Sequence, residues 1–376
     1  MAKLSLPYLK ELVASVVTEA KISNATFSVT RDNVAGLVDK IGKILTLDSN
    51  LAIDKLAEFD GEYLSFGKTI EEYQIDLTAP QDFDPTGANA LAPHDPTFRP
   101  NFYSYTLGRK KIPTTIRNND LERAVHFVEQ FNELVAMILK RLSDSMAQYR
   151  YAVKRQMLGR VVSMIEGANS TAGSNAWNAG TSRDEGTFVY YTDLNSVNHF
   201  GIVVKDYAST DNKTWAEAIA GGWVIEYDMI STLAKPVDTQ TGEAFVKEVK
   251  RCVEQASDIS EGGSLNGNTL GAIEGLVLIL KQNIVPNLDV DTMAGAFHLD
   301  KVALPARIIV VKDFGKEADD KCYGILADAR FMRLHNTYRA VREQLNADGD
   351  FISYYSHTED TAWISRNAFI HIFKTA

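Results

Sequence analysis

Cysteine is scarce in this chain: Cys252 and Cys322 are the only two in 376 residues. That excludes a disulfide framework and a multi-cysteine zinc cluster, and it suits a reducing cytoplasm. Long apolar runs are missing as well. None approaches the ~20 residues of a membrane span, and the first residues mix Lys3, Lys10 and Glu11 among the apolar ones, unlike a secretory signal. Basic charge is in deficit, with 39 Lys and Arg against 49 Asp and Glu and a formal charge of −10. A generic nucleic-acid binder would be basic overall, so that class is disfavoured.

The patterns of common active sites are absent too. The glycines at Gly262, Gly263 and Gly267 lack the Lys-Ser/Thr of a phosphate-binding loop, and no G-x-G-x-x-G runs from a strand into a helix. That stretch is expected to be a flexible loop. His357 near Glu359 and Asp360 lacks the paired spacing of a zinc site and is expected on a surface turn. His94 beside Asp95 sits among prolines, where local hydrogen bonding is the better reading than acid–base work. No catalytic, cofactor-binding or metal-ligating set is expected, and hence no enzyme.

What is present is concentrated between Gly67 and Ile165. Five of the ten prolines, Pro80, Pro85, Pro93, Pro96 and Pro100, fall in one short stretch that can be neither helix nor central strand. Before it, Thr69, Glu71, Tyr73, Ile75 and Leu77 alternate with Ile70, Glu72, Gln74 and Asp76. Beyond it, Tyr103, Tyr105 and Leu107 repeat the period of two. Two antiparallel arms joined by an irregular tip are expected. A lone two-stranded ribbon is marginal in water, so it needs a surface to lie on.

A long helix should follow. Asn119 with Glu122 three residues on reads as a capping box, and Leu134, Ile138, Leu142, Met146, Tyr149, Val153, Met157, Val161 and Met164 recur every three or four residues without a proline. Gly167 to Gly186, rich in Gly, Ser, Asn and Thr, is expected to be loop. Charge divides the two regions: residues 60–98 carry eight acids and one base, residues 99–160 twelve bases and five acids. The acidic tip (Asp76, Asp82, Asp84, Asp95) is therefore expected to dock on basic helix positions of an adjacent subunit, such as Arg150, Lys154 or Arg155. The same helix offers Lys140, Arg141, Arg150, Lys154, Arg155 and Arg160 to a packaged polymer, in weak, salt-sensitive contact.

Elsewhere the first 60 residues read as helices, with Leu9, Leu12, Val13, Val16 and Val17 on one stripe and Val34, Leu37, Val38, Ile41, Ile44 and Leu45 on another. From Thr187 to about Lys321 the pattern is α+β: strands at Phe188–Tyr191 and Ile202–Val204, an amphipathic helix through Phe245, Val249, Cys252 and Ala256, and a buried strand at Arg307–Val311. A turn at Asn346–Gly349 separates candidate strands, and Phe351–Tyr355 and Phe369–Phe373 follow. Residues 331–345 stay ambiguous, because Phe331, Leu334, Tyr338, Val341 and Leu345 keep helical spacing.

The run TIEEYQIDLTAPQDFDPTGANALAPHDPTFRPNFYSYTLGRKKIPTTIR with the helix after it resembles the extended loop and spine helix of tailed-bacteriophage major capsid proteins of the Hong Kong 97 fold. ARIIVVKDFG, CYGILADARFMRLHN, NADGDFISYYSH and NAFIHIF extend the resemblance to the end of the chain. It implies an α+β fold with a helical N-terminal arm (1–60), an extended loop (61–117), a peripheral domain built on the spine helix (118–185 and 322–376) and an axial domain (186–321). It also favours strand for 331–345. It implies pentamers and hexamers closing an icosahedral shell around double-stranded DNA, assembled in the host cytoplasm with portal and scaffolding proteins, with no membrane and no cofactor. The Lys–Asn isopeptide bond that welds some relatives finds no matched donor, acceptor and acid here, so no crosslink is expected. The alternatives are an encapsulin-like nanocompartment holding protein cargo, a tail or other virion protein forming tubes or rings, and a cytosolic α+β enzyme.

Overall fold

A computed structural model describes residues 54–75, 98–117, 128–194, 196, 198–259, 262–285, 307–315 and 321–375. The expected N-terminal helices, the capping box at Asn119 and Glu122, and the proline-rich tip with His94 and its four aspartates lie outside the described residues. The chain divides into two compact units, one holding Arg109–Tyr149 and Tyr338–Glu359, the other Asp54–Gly108, Arg150–Thr337 and Asp360–Ala376.

The ribbon forms as its alternation predicts. β1 (Ile70–Ile75) pairs antiparallel with β2 (Phe98–Tyr103), from Ile70 opposite Tyr103 to Ile75 opposite Phe98. Pro100 opposes Tyr73, which a two-stranded ribbon tolerates because a missing N–H can face its open edge. The second arm stops at Tyr103. Tyr105–Thr106 (β3) joins another sheet through Thr361 and Ala362, and the Leu107 amide donates to the Asp360 carbonyl.

In the first unit, β4 (Lys110–Arg117) runs antiparallel to the first part of β13 (Phe351–Ile364), from Phe351 opposite Arg117 to Thr358 opposite Lys110. Ile116, Ile352 and Tyr354 are buried while Lys111, Thr115 and Arg117 are exposed, the alternation of a half-buried strand. The ambiguous residues 331–345 are strand: β12 spans Met332–Asn346, with Met332, Leu334 and Asn336 buried at every second position. At the following turn the Gly349 amide donates to Asn346 Oδ1 at 2.9 Å. His357 lies within β13, and Glu359 and Asp360 are buried there, so the expected surface turn is replaced by strand.

α1 (Val128–Ala172) is 45 residues, about 67 Å at 1.5 Å per residue. It passes through Gly167 and ends later than expected, because Ile165, Ala168 and Ala172 continue its buried stripe and Thr171 Oγ1 donates back to the Gly167 carbonyl. Its buried side chains include Leu142, Met146, Val153, Met157, Leu158, Val161 and Val162.

The second unit centres on a five-stranded sheet in the order β10-β9-β11-β14-β8, comprising Arg307–Val311, Leu276–Lys281, Cys322–Asp328, Ile370–Lys374 and Ile230–Thr232. β9 and β11 are buried along nearly their whole length. At the edge, β10 buries Ile309 and Val311 but leaves Arg307 and Ile308 exposed. α3 (Thr239–Ala256) lays Phe245, Val249, Cys252 and Ala256 on Leu276, Leu278, Leu280, Tyr323, Leu326 and Phe373. Its N-cap Asp238 accepts from the Thr241 amide at 2.8 Å. β5 (Phe188–Thr192), β6 (Asn198–Val203) and β7 (Val224–Glu226) form a smaller antiparallel sheet, packed through Val189, Val203 and Val224 against Tyr207 and Trp215, the latter opening the short α2 (Trp215–Ala220).

The glycine-rich stretch is a packed turn. Gly262 and Gly267 adopt φ of +78° and +65°, a side chain on Gly262 would collide with the Glu226 carbonyl, and Gly263 to Leu265 are buried.

Candidate assembly surfaces and the internal charge network

The helix cations reveal how this subunit holds itself together. Lys154 is completely buried, and its ammonium donates to Asp54, to Asp60 Oδ1 at 3.0 Å and to the Leu56 carbonyl at 3.1 Å. One turn earlier, Arg150 donates to Asp60 Oδ1 at 2.9 Å and to the Leu334 carbonyl at 3.2 Å, with its Nε 3.8 Å from the buried Asp360. Asn336 Nδ2 donates to the same Asp360 at 3.0 Å. Residues 54–64 are thus fastened to α1 by charge and to β12 by backbone, since the amides of Gly61 and Leu64 donate to the carbonyls of Leu334 and Asn336. Arg155 pairs with Asp313 at 2.9 Å.

Lys154 is accordingly out of reach of a neighbouring loop tip or a packaged polymer, because its charge is compensated inside the subunit. Arg150 and Arg155 are about three-quarters covered and carry internal partners. Arg160 is exposed, and Lys140 and Arg141 are half-buried. The acidic tip residues Asp76, Asp82, Asp84 and Asp95 lie outside the described residues.

The ribbon shows an apolar face. Tyr73, Ile75 and Phe102 are 60%, 56% and 62% exposed, and Phe66 just before β1 is 94% exposed. The inner face is polar and anchored: Tyr103 donates to Glu72 at 2.9 Å, Ser365 donates to Glu72 at 2.6 Å, and the Arg366 amide donates to the Tyr103 hydroxyl at 3.1 Å. Burial pushes the Tyr103 phenol well above its ordinary range, so it stays a donor at any physiological pH.

One further polar cluster was invisible in the sequence. Glu248, Cys252 and His371 place ligand-type atoms within 4.8 Å of one another. Ser231 Oγ donates to Glu248 at 2.6 Å and lies 2.7 Å from His371 Nε2, while His371 Nδ1 donates to the Asp228 carbonyl at 3.0 Å. The cation here is Arg251, which holds Glu248 and Asp228, each at 2.7 Å. Burial pushes the Cys252 thiol up to about 12 and holds the His371 imidazole below its usual range. A protonated thiol and a carboxylate already bound by guanidinium make this a hydrogen-bonded clasp from α3 to β8 and β14. The only spacing clue was Glu248 and Cys252 one turn apart; Ser231 and His371 come from distant strands.

Solved structures with this arrangement of elements include chains from phage structures. The chain matches one in the capsid structure of Staphylococcus phage Andhra at TM-score 0.55 and 11% identity, covering 98% of this chain and 100% of that one. It matches a chain in the structure of head fiber and inner core protein gp22 of native bacteriophage P68 at 0.51 and 12%, covering 100% and 99%. It also matches one in the capsid structure of cyanophage P-SCSP1u at 0.51 and 9%, covering 89% and 91%. These likenesses define the fold class, that of phage capsid chains of the Hong Kong 97 type. The chain itself belongs to the Phi29-like phage major capsid protein family, whose model matches residues 7–374. It is a structural protein of the virion. A comparison with curated protein sequences finds no match.

Proposed function

We propose that this major capsid protein rings into pentamers and hexamers that close an icosahedral shell around the double-stranded DNA of a tailed phage. The shell assembles in the host cytoplasm with portal and scaffolding proteins. Closed symmetry is the physical route from one chain to a container. The observation that carries this reading is the family match over residues 7–374, and the ribbon supports it by presenting Tyr73, Ile75 and Phe102 to solvent where an isolated domain would cover them. In this reading residues 1–60 are an N-terminal arm and 61–117 an extended loop laid over a neighbour. Segments 118–185 and 322–376 make a peripheral domain, and 186–321 an axial one. The role is structural and non-enzymatic, with DNA held only by weak non-specific contact.

Negative-stain electron microscopy of particles from cells expressing the chain, with and without scaffold, tests the proposal. Uniform closed shells are expected, with nuclease-protected DNA once portal and packaging proteins are supplied. Shells that hold only protein would favour a nanocompartment. Tubes, rings, or monomers under every condition would overturn the shell.

A further inference from the structure

The surroundings of Lys154 arrange reactive groups as well as charges. Its side chain is completely covered, and its three N–H bonds have one acceptor each: Asp54 Oδ2, Asp60 Oδ1 at 3.0 Å and the Leu56 carbonyl at 3.1 Å. The two carboxylates are held differently. The Leu56 amide donates to Asp54 Oδ1 at 2.9 Å, on the oxygen that Lys154 does not touch. Asp54 therefore meets the nitrogen through one oxygen while a backbone donor polarises the other, as oxyanion stabilisation requires when a carboxyl carbon is attacked. Asp60 shares its Oδ1 between Lys154 and the Arg150 guanidinium, 2.9 Å away, and is fixed as a second carboxylate within reach of the same nitrogen.

We propose that Lys154 and Asp54 condense in the folded subunit to an amide bond within one chain, with Asp60 as the catalytic residue. The ion pair described above is the state before reaction. The bond joins no two subunits, and the inference does not depend on the shell reading. The ammonium first gives one proton to Asp54 Oδ2, leaving a neutral amine beside a carboxylic acid. The Nζ lone pair then attacks Cγ, the carbonyl electrons move onto Oδ1 against the Leu56 amide, and Asp60 takes the second proton from Nζ. Oδ1 re-forms its double bond, and Asp60 hands its proton to the departing hydroxyl. One C–N bond forms and one C–O bond breaks. Both protons lost by Nζ leave in a single water, Asp60 regains its charge, and nothing is oxidised or reduced.

Two features favour the product. Groups fixed in contact react with effective molarities on the order of 10⁵–10⁸ M, which offsets the excess of water that opposes the same condensation in free solution. An ion pair taken out of water has also lost its hydration, a cost that a neutral amide does not carry. The Asp54 side chain is 17% exposed, so the released water has a way out. The bond spans 100 positions and ties the segment entering at Asp54 to α1, which restricts the unfolded chain as any long-range crosslink does.

Mass spectrometry of the purified full chain tests it, in shells and in unassembled subunits alike. The intact mass should be one water below that of the sequence. A tryptic digest should contain Ile44–Lys55 joined to Tyr151–Arg155, with Lys154 uncleaved because its amine is acylated. Asp54→Ala should restore the full mass, and Asp60→Asn should lower the linked fraction roughly tenfold or more. Full mass with a free Tyr151–Lys154 peptide in the wild type overturns the bond and leaves the shell reading standing. A mass one water short without the joined peptide, as a succinimide would give, overturns it too. Fragmentation that places the link on Asp60 overturns the assignment of Asp54 as acceptor. An Asp60→Asn subunit that melts like wild type and links fully removes Asp60 from the reaction.

Discussion

Lys154 shows why residue type was legible and residue role was not. The sequence places a cation on the helix, but the carboxylates that neutralise it, Asp54 and Asp60, lie 100 and 94 positions earlier, and nothing local to the helix announces them. Lys154→Met should leave two carboxylates facing an apolar side chain. Both are partly exposed and can rehydrate, so the loss should be about 2–3 kcal/mol, below that of a wholly buried pair, read as a lower urea midpoint of the unassembled subunit. An unchanged midpoint would mean the network contributes nothing. His199 gives a residue-scale pH dependence: Glu226 accepts from its Nδ1 at 2.6 Å and Asp193 lies 3.8 Å from Nε2. The hydrogen bond to Glu226 is the main cause of the imidazole's raised pKa, and slight desolvation opposes it. A raised folded-state value means the stabilisation is complete below about pH 6.5 and fades as pH rises through that folded value. The gap in melting temperature between wild type and His199→Gln should therefore be larger at pH 5.5 than at pH 8.5. A constant gap would show that the proton does not bear on the β6–β7 pairing.

Among the elements, period decided what could be read. β1, β5 and α3 carry alternation or helical spacing and form as their patterns require, whereas β6 begins four residues before the expected Ile202–Val204 and buries its last three positions in a row. β9 escaped because LVLIL before Lys281 is apolar at every position, as a strand covered on both faces must be, and periodicity cannot separate that from a buried helix segment. β12 defeated local reading for the opposite reason: Leu334, Tyr338, Val341 and Leu345 fit a helix, yet the long partner β13 imposes extended backbone. In α1 the glycine that suggested an end is carried through by Ala168 and Ala172. Gly167 is exposed, its φ is helical, and a side chain there would touch nothing within 4 Å. Gly167→Ala should therefore stabilise the subunit by ~0.5–1 kcal/mol, chiefly by reducing the freedom of the unfolded chain. A lower urea midpoint in that variant would show that the helix needs a weak point there.

For the whole molecule, the telling contrast is between a subunit that closes its own charges and a ribbon that leaves its apolar face open. Residues 54–64 are tied to α1 and β12, and the root of the ribbon is tied through Glu72, Tyr103 and Ser365. On the outward face the Tyr73 hydroxyl bonds only to Glu71 of its own strand, and the side chains of Tyr73, Ile75 and Phe102 stay more than half exposed. An element anchored at its base and uncovered at its face is stable only marginally by itself and gains from a second surface. Folding and assembly should therefore separate. Deleting Gln81–Pro96 removes Asp82, Asp84 and Asp95 but none of the described contacts, so the subunit should keep its circular dichroism and its melting transition. Closed shells should be lost, since each subunit would then forfeit its reach onto a neighbour. The decisive result is the pairing of the two readouts: a folded subunit without shells supports an assembly device, normal shells would remove the loop tip from assembly, and an unfolded subunit would show that the tip is part of the fold.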